Sequence, residues 1–97
     1  MRTKGCFNED TYAGIKRKIV DMIGEPTYTT GTNYIDGWEV DDSTKITLSA
    51  PMTARETRSK ILLFKDGRKV LVASFQNGLP ENIIERGVSK VLARAFA

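Results

Sequence analysis

Residues 60–75 read KILLFKDGRKVLVASF, and this stretch limits the fold more than any other. Asp66-Gly67 between two apolar runs is the signature of a two-residue type I′ hairpin, because both central positions of that turn need positive φ. A turn there pairs Phe64 with Lys69, Leu63 with Val70, Leu62 with Leu71 and Ile61 with Val72. Alternation along each strand then puts Ile61, Leu63, Val70 and Val72 on one face. The other face carries Leu62, Phe64, Leu71, Ala73 and Phe75, with Lys60 and Lys69 at the rim. A strand pair with one wet face shows polar residues on that face, and this one does not. Its two sides are therefore expected to be covered. Either each takes one helix, or both helices pack on one side and a partner takes the other.

Two segments supply the helices. In NEDTYAGIKRKIVDMIGEP, residues 8–26, Tyr12, Ile15, Ile19, Met22 and Ile23 recur at steps of three and four and share one helical face. Asn8 is placed to cap this helix, and Glu9 and Asp10 to meet the positive end of its dipole. Gly24 suits a left-handed C-terminal cap, and Pro26 stops continuation. In LPENIIERGVSKVLARAFA, residues 79–97, Ile84, Val88, Val91, Leu92 and Ala95 form the buried stripe. Pro80 fits the first helical turn. Gly87, unfavourable in a helix interior by about 1 kcal/mol relative to Ala, points to close packing there.

Between the first helix and the hairpin, residues 27–51 are rich in Thr, Tyr, Ile and Val. Turn signals at Asp36-Gly37 and around Asp41 to Thr44 predict strands near 28–35, 38–41 and 45–50. In the third, Ile46 and Leu48 share one face. The order is α-β-β-β-β(-β)-α: an α+β class fold in which an antiparallel four- to five-stranded meander is flanked by an N-terminal and a C-terminal helix. At 97 residues the chain reads as one domain, 1–97, large enough to fold without disulfides or metals.

The absent residue types narrow the chemistry. The chain has no histidine and one cysteine, Cys6, which removes the commonest general base, the commonest metal ligand and the usual thiolate pair. Its glycines match neither a P-loop nor a dinucleotide fingerprint. The acids of DGWEVDD, Asp36, Glu39, Asp41 and Asp42, do not follow a cation-binding loop, and strand alternation sends neighbours to opposite faces. No catalytic set, metal or cofactor is expected. No run approaches the ~20 apolar residues of a membrane span, the first residues lack the apolar core of a secretory signal, and a lone cysteine fits a reducing compartment. A cytoplasmic location is expected.

Charge is uneven. Residues 1–48 carry six Lys/Arg and eight Asp/Glu, a net of −2, and residues 49–97 carry nine and four, a net of +5. The basic half begins at PMTARETRSK, residues 51–60. Arg86, Lys90 and Arg94 lie at i, i+4 and i+8 and form one row on the last helix. If the row sits beside Arg55, Arg58 and Lys60, the two make a positive ridge able to contact phosphates. Lys16-Arg17-Lys18 are consecutive and spread over about 200° of helix surface, as a solvated face does. Trp38, the single tryptophan, reads first as core and otherwise as an interface anchor.

Three short motifs, Gly24-Glu25-Pro26 closing the first helix, Trp38 in the first strands and Phe64-Lys65-Asp66-Gly67 at the later hairpin, give a layout similar to the small envelope modules related to BamE. The resemblance implies a helix-on-sheet interaction module. The sequence shows neither that family's secretory signal nor its lipidation cysteine, and it adds a C-terminal helix, so no site residue is carried over.

Three functional readings follow. The first is a noncatalytic protein-binding module, an inhibitor or adaptor of the kind phages and mobile elements encode, whose partner is another protein or a second copy of itself. It would bind through an apolar sheet face with a basic rim, using Trp38, Arg55, Arg58, Lys60, Phe64, Lys69, Arg86, Lys90 and Arg94. The alternative is nucleic-acid binding by the basic loop and the last helix. An enzyme using Glu39 with Asp41 or Asp42 is a third, and it would need surroundings that split two carboxyl pKa values.

Overall fold

A computed structural model describes residues 9–30, 35–50 and 58–97. Asn8, Cys6, Tyr34 and Arg55 lie outside the described residues. The chain forms α1 (Glu9–Ile23), β1 (Tyr28–Thr30), β2 (Ile35–Glu39), β3 (Thr44–Ser49), β4 (Arg58–Lys65), β5 (Arg68–Gln76) and α2 (Glu81–Ala95). The strands make one antiparallel sheet in chain order, β1-β2-β3-β4-β5. The fold is therefore the expected α+β meander between two helices, with all five strands present.

Both helices lie on one side of the sheet. Tyr12, Ile15 and Ile19 of α1 and Ile84, Val88, Val91, Leu92 and Ala95 of α2 pack in one core with Trp38, Ile46, Leu48, Ile61, Leu63 and Phe75. The stripe expected for α2 is buried in full. On α1 the stripe is broken at Met22, which is exposed, while Ile23 beyond it is partly buried against the core. Gly24 terminates α1 with φ of 97°, a conformation glycine adopts without steric cost, and its N–H donates to the Val20 carbonyl at 2.8 Å. At α2, Pro80 is the extended cap residue rather than a member of the first turn, with φ −60° and ψ 152°. Its carbonyl accepts the N–H groups of Ile83 and Ile84 at 3.1 Å each.

Asp36-Gly37 is not a turn. Both residues lie inside β2, paired with Leu48 and Thr47 of β3, and the β1–β2 connection falls on residues 31–34, outside the described residues. The reason is visible on each face. Asp36 points inward, where Tyr12 binds it. Gly37 points outward, where a Cβ would stand 2.2 Å from the Tyr28 ring. Glycine here makes room for an aromatic ring on a neighbouring strand.

The Asp66-Gly67 hairpin forms as expected, with φ of 53° and 79° at its two residues, and Phe64 pairs with Lys69. Beyond that pair a β-bulge shifts the register: Leu63 faces Leu71, Leu62 faces Val72 and Ile61 faces Ala73. One extra residue sends every later β5 side chain to the other face. Leu71, Ala73 and Phe75 therefore join Ile61 and Leu63 on the helix side, and Val72 joins Leu62 on the open side. The bulge delivers the largest of these groups, Phe75, to the core, where its ring lies against Gly87 and a Cβ on that glycine would stand 2.6 Å from Cε2. The close packing expected at Gly87 is thus a ring seated on bare helix backbone.

Candidate functional site on the open sheet face

The side of the sheet opposite the helices is uncovered by any described element. Pairing in the four ladders sets its rows. Tyr28 lies opposite Gly37, Glu39 opposite Lys45, and Lys45 in turn opposite Phe64, followed by Thr47 with Leu62 and Ser49 with Lys60. On the far side, Phe64 faces Lys69, Leu62 faces Val72, Lys60 faces Ser74 and Arg58 faces Gln76. An apolar band of Tyr28, Phe64, Leu62 and Val72 thus crosses the face. Val72 is 48% exposed and Tyr28 37%, whereas Ile61 and Leu63 on the helix side are buried.

Cations frame the band. The Lys45 ammonium sits 5.9 Å from the Tyr28 ring centroid and 5.8 Å from that of Phe64, within reach of the negative ring faces of both. Lys69 stands at the hairpin end, and Lys60 and Arg58 at the other. Among the described strand residues, Glu39 is the one acid on this face. An apolar centre inside a polar rim is how many protein interfaces are built.

The basic residues singled out in the sequence do not come together. Arg58 and Lys60 project from the open face, since their neighbours Ser59 and Ile61 are buried on the helix side. Arg86, Lys90 and Arg94 are exposed on α2, on the other side of the sheet. Arg55 lies outside the described residues. Arg58 and Lys60 thus share no surface with the α2 row, because strand alternation turns them away from the helix layer.

Trp38 is also misplaced as an interface anchor. It is 3% exposed, pairs with Ile46 on the helix side, and its indole N–H donates to the Gly24 carbonyl at 2.8 Å. It belongs to the core and ties β2 to the end of α1.

The acids are divided among three settings. Asp36 is 2% exposed, and its Oδ2 accepts the Tyr12 hydroxyl at 2.6 Å. Its Oδ1 stands 3.4 Å from Lys16 Nζ. The Tyr12 hydroxyl also lies 3.2 Å from the Leu48 carbonyl, but its single proton belongs to the shorter, charge-assisted contact. Burial first, and the Asp36 carboxylate second, push the Tyr12 phenol far above its ordinary value. Tyr12 is therefore held as a donor, and the trio fastens α1 to β2 and β3. Asp41 caps the β2–β3 turn, accepting the Ser43 N–H at 2.9 Å and the Ser43 hydroxyl at 3.2 Å. The backbone hydrogen bond from Ser43 is the main cause that holds its carboxyl below the usual range. Glu39, Asp41, Asp42 and Asp66 border a hollow of about 640 Å³ at the turn end of the sheet, together with Lys45 and Phe64. Among the described residues no three potential metal ligands gather.

Sequence reading missed the Tyr12–Asp36–Lys16 trio, because Tyr12 fits an apolar stripe and Asp36-Gly37 imitates a turn. Of the remaining cations of the first helix, Arg17 is exposed as a solvated face requires, whereas Lys18 is partly buried and pairs with Glu81 of α2 at 3.3 Å. No helix among the described residues is long and apolar enough to cross a membrane. Compared with known proteins, the chain matches no family model, no curated protein and no solved structure.

Proposed function

We propose that the chain is a noncatalytic, cytoplasmic protein-binding module, of adaptor or inhibitor type, that docks its partner on the open sheet face. The observation that carries this reading is the asymmetry of the sheet. Both helices pack on one side, and the other leaves Tyr28, Leu62, Phe64 and Val72 as an apolar band bordered by Lys45, Lys60 and Lys69. Such a band favours a partner that can cover it, since exposed apolar area is stabilised by burial at roughly 25 cal/mol per Å². The basic border favours an acidic surface around the point of contact and speeds encounter with it.

The nucleic-acid reading has less support. A backbone tracking both Arg58 and the α2 row would have to wrap an edge of the sheet. The binding reading is tested by affinity capture from the native host lysate, with and without nuclease, using the wild-type chain and a Val72→Glu/Lys69→Glu variant. Both substituted positions are exposed, so the variant should keep its thermal midpoint. The expected result is a protein captured by the wild type in both lysates and lost with the variant, or, for self-association, a dimer mass in light scattering that falls to monomer in the variant. Equal capture by both chains, or capture that disappears with nuclease, refutes it.

A further inference from the structure

The two ends of the sheet are unequal. β1 at one edge is three residues long, whereas β5 at the other runs nine residues, Arg68–Gln76, and no described element pairs with its outer side. In an antiparallel sheet every second residue of an edge strand turns its N–H and C=O away from the sheet. Natural edges of this length are commonly blunted by proline, charges, bulges or a covering element. In β5 the charges Arg68 and Lys69 and the bulge at Val70 all fall at the hairpin end, and the stretch beyond them, Leu71 to Gln76, contains no proline, charge or bulge.

The flank above this edge is basic. Gly87 of α2 faces Phe75 of β5, while Glu81 reaches Lys18 of α1. These two contacts orient the helix. At 100° per residue, Lys90 and Arg94 fall on the Gly87 flank, the one nearer β5 and away from α1. Below them the inward β5 side chains Leu71 and Ala73 are only half-buried. On the open side of the same strand Val72 is exposed.

Resting on the protein-binding reading, we infer that β5 accepts an extended segment of the partner as a sixth strand, and that this segment alternates acidic with apolar residues. Its backbone would satisfy the free β5 groups. Its acidic row would lie on the helix side beneath Lys90 and Arg94, and its apolar row would extend the band at Val72 on the open side. Period-two alternation is what a strand offers to two faces of different character. Charge argues against a second copy of the chain in this place. Two β5 edges paired about a twofold would bring Lys90 and Arg94 of both copies to one junction. The chain's own residues 1–8 carry Arg2 and Lys4 and no acid, so they do not match the flank either.

The test uses the full chain and a soluble eight-residue probe peptide that alternates glutamate with valine and threonine, followed by amide exchange in NMR. The expected result is that the probe slows exchange at every second amide of β5 and leaves β1 unchanged. Lys90→Glu/Arg94→Glu should weaken that binding by about tenfold, a few-fold for each lost ion pair, with the thermal midpoint retained. A probe with lysine in place of glutamate should leave β5 exchange unaltered. Unchanged β5 exchange with saturating glutamate probe, or equal effects of both probes, overturns the proposal. A lysate partner lost on Val72→Glu/Lys69→Glu but retained by Lys90→Glu/Arg94→Glu would preserve the open-face reading while removing this one.

Discussion

Replacing Tyr12 with phenylalanine isolates the buried ionic cluster of Tyr12, Asp36 and Lys16. The substitution keeps the ring that fills the core between α1 and the sheet, so no cavity opens. It removes the hydroxyl that donates to Asp36 Oδ2 at 2.6 Å, while Lys16 still faces Oδ1 at 3.4 Å. A hydrogen bond to a charged acceptor contributes about 1.5–3 kcal/mol, and the retained lysine spares the larger penalty of a wholly unpaired buried charge. The expected loss at neutral pH is about 2 kcal/mol, or roughly 10 °C in the thermal midpoint of a domain this size. The urea slope should stay the same, because the surface exposed on unfolding does not change. The pH dependence supplies a second readout. The folded phenol titrates far above its ordinary value of 10.0. Stability owed to it is therefore complete below about pH 10 and is lost as pH rises, since the unfolded phenol then ionises while the folded one cannot. The gap between wild type and Tyr12→Phe should be about 1.4 kcal/mol smaller at pH 11 than at pH 8. Urea titrations of both chains at each pH measure it. A gap under about 0.5 kcal/mol at pH 7, or one that stays constant to pH 11, would refute a bond of this strength.

Three further outcomes are expected. Gly87→Ala should destabilise the chain by about 1–3 kcal/mol despite the better helix propensity of alanine, because the new methyl meets the buried Phe75 ring; a gain in urea midpoint would show that the ring moves aside freely. Trp38, the sole tryptophan, should emit at the short wavelengths of a buried indole and shift red in one cooperative step on unfolding, and Trp38→Phe should lower stability by about 2 kcal/mol through lost volume and the lost bond to Gly24. Asp41→Ala should flatten the acid limb of the stability curve: a carboxyl held low by Ser43 stabilises the fold above its unfolded value and ceases to do so as pH falls, and an unchanged limb would remove Asp41 from that account.

Much of this arrangement is local and was legible in the residues. The α2 stripe, the type I′ turn at Asp66-Gly67 and the Gly24 stop each follow from neighbours a few positions away, through helical period, turn φ values and cap geometry. The errors share a different cause. Asp36-Gly37 imitates a turn dipeptide and sits mid-strand, because Tyr12 from a distant helix claims the carboxylate and the Tyr28 ring claims the space over the glycine. The hairpin register could not be read because both of its faces are apolar, so either register satisfies the hydrophobic pattern. Only the docking of Phe75 against Gly87 separates them, and it does so through a single bulged residue.

The same division holds for function. The sequence by itself determined that an apolar hairpin with cationic ends would stand in a two-helix, meander fold, because composition and alternation are properties of the chain. Which face stays open was decided by the tertiary structure, which brings both helices to one side. It also separated Arg58 and Lys60 from the α2 row and left β5 as a long edge that no described element pairs with. Charges far apart in sequence share a surface only where packing puts them together, and here packing places the sheet between them.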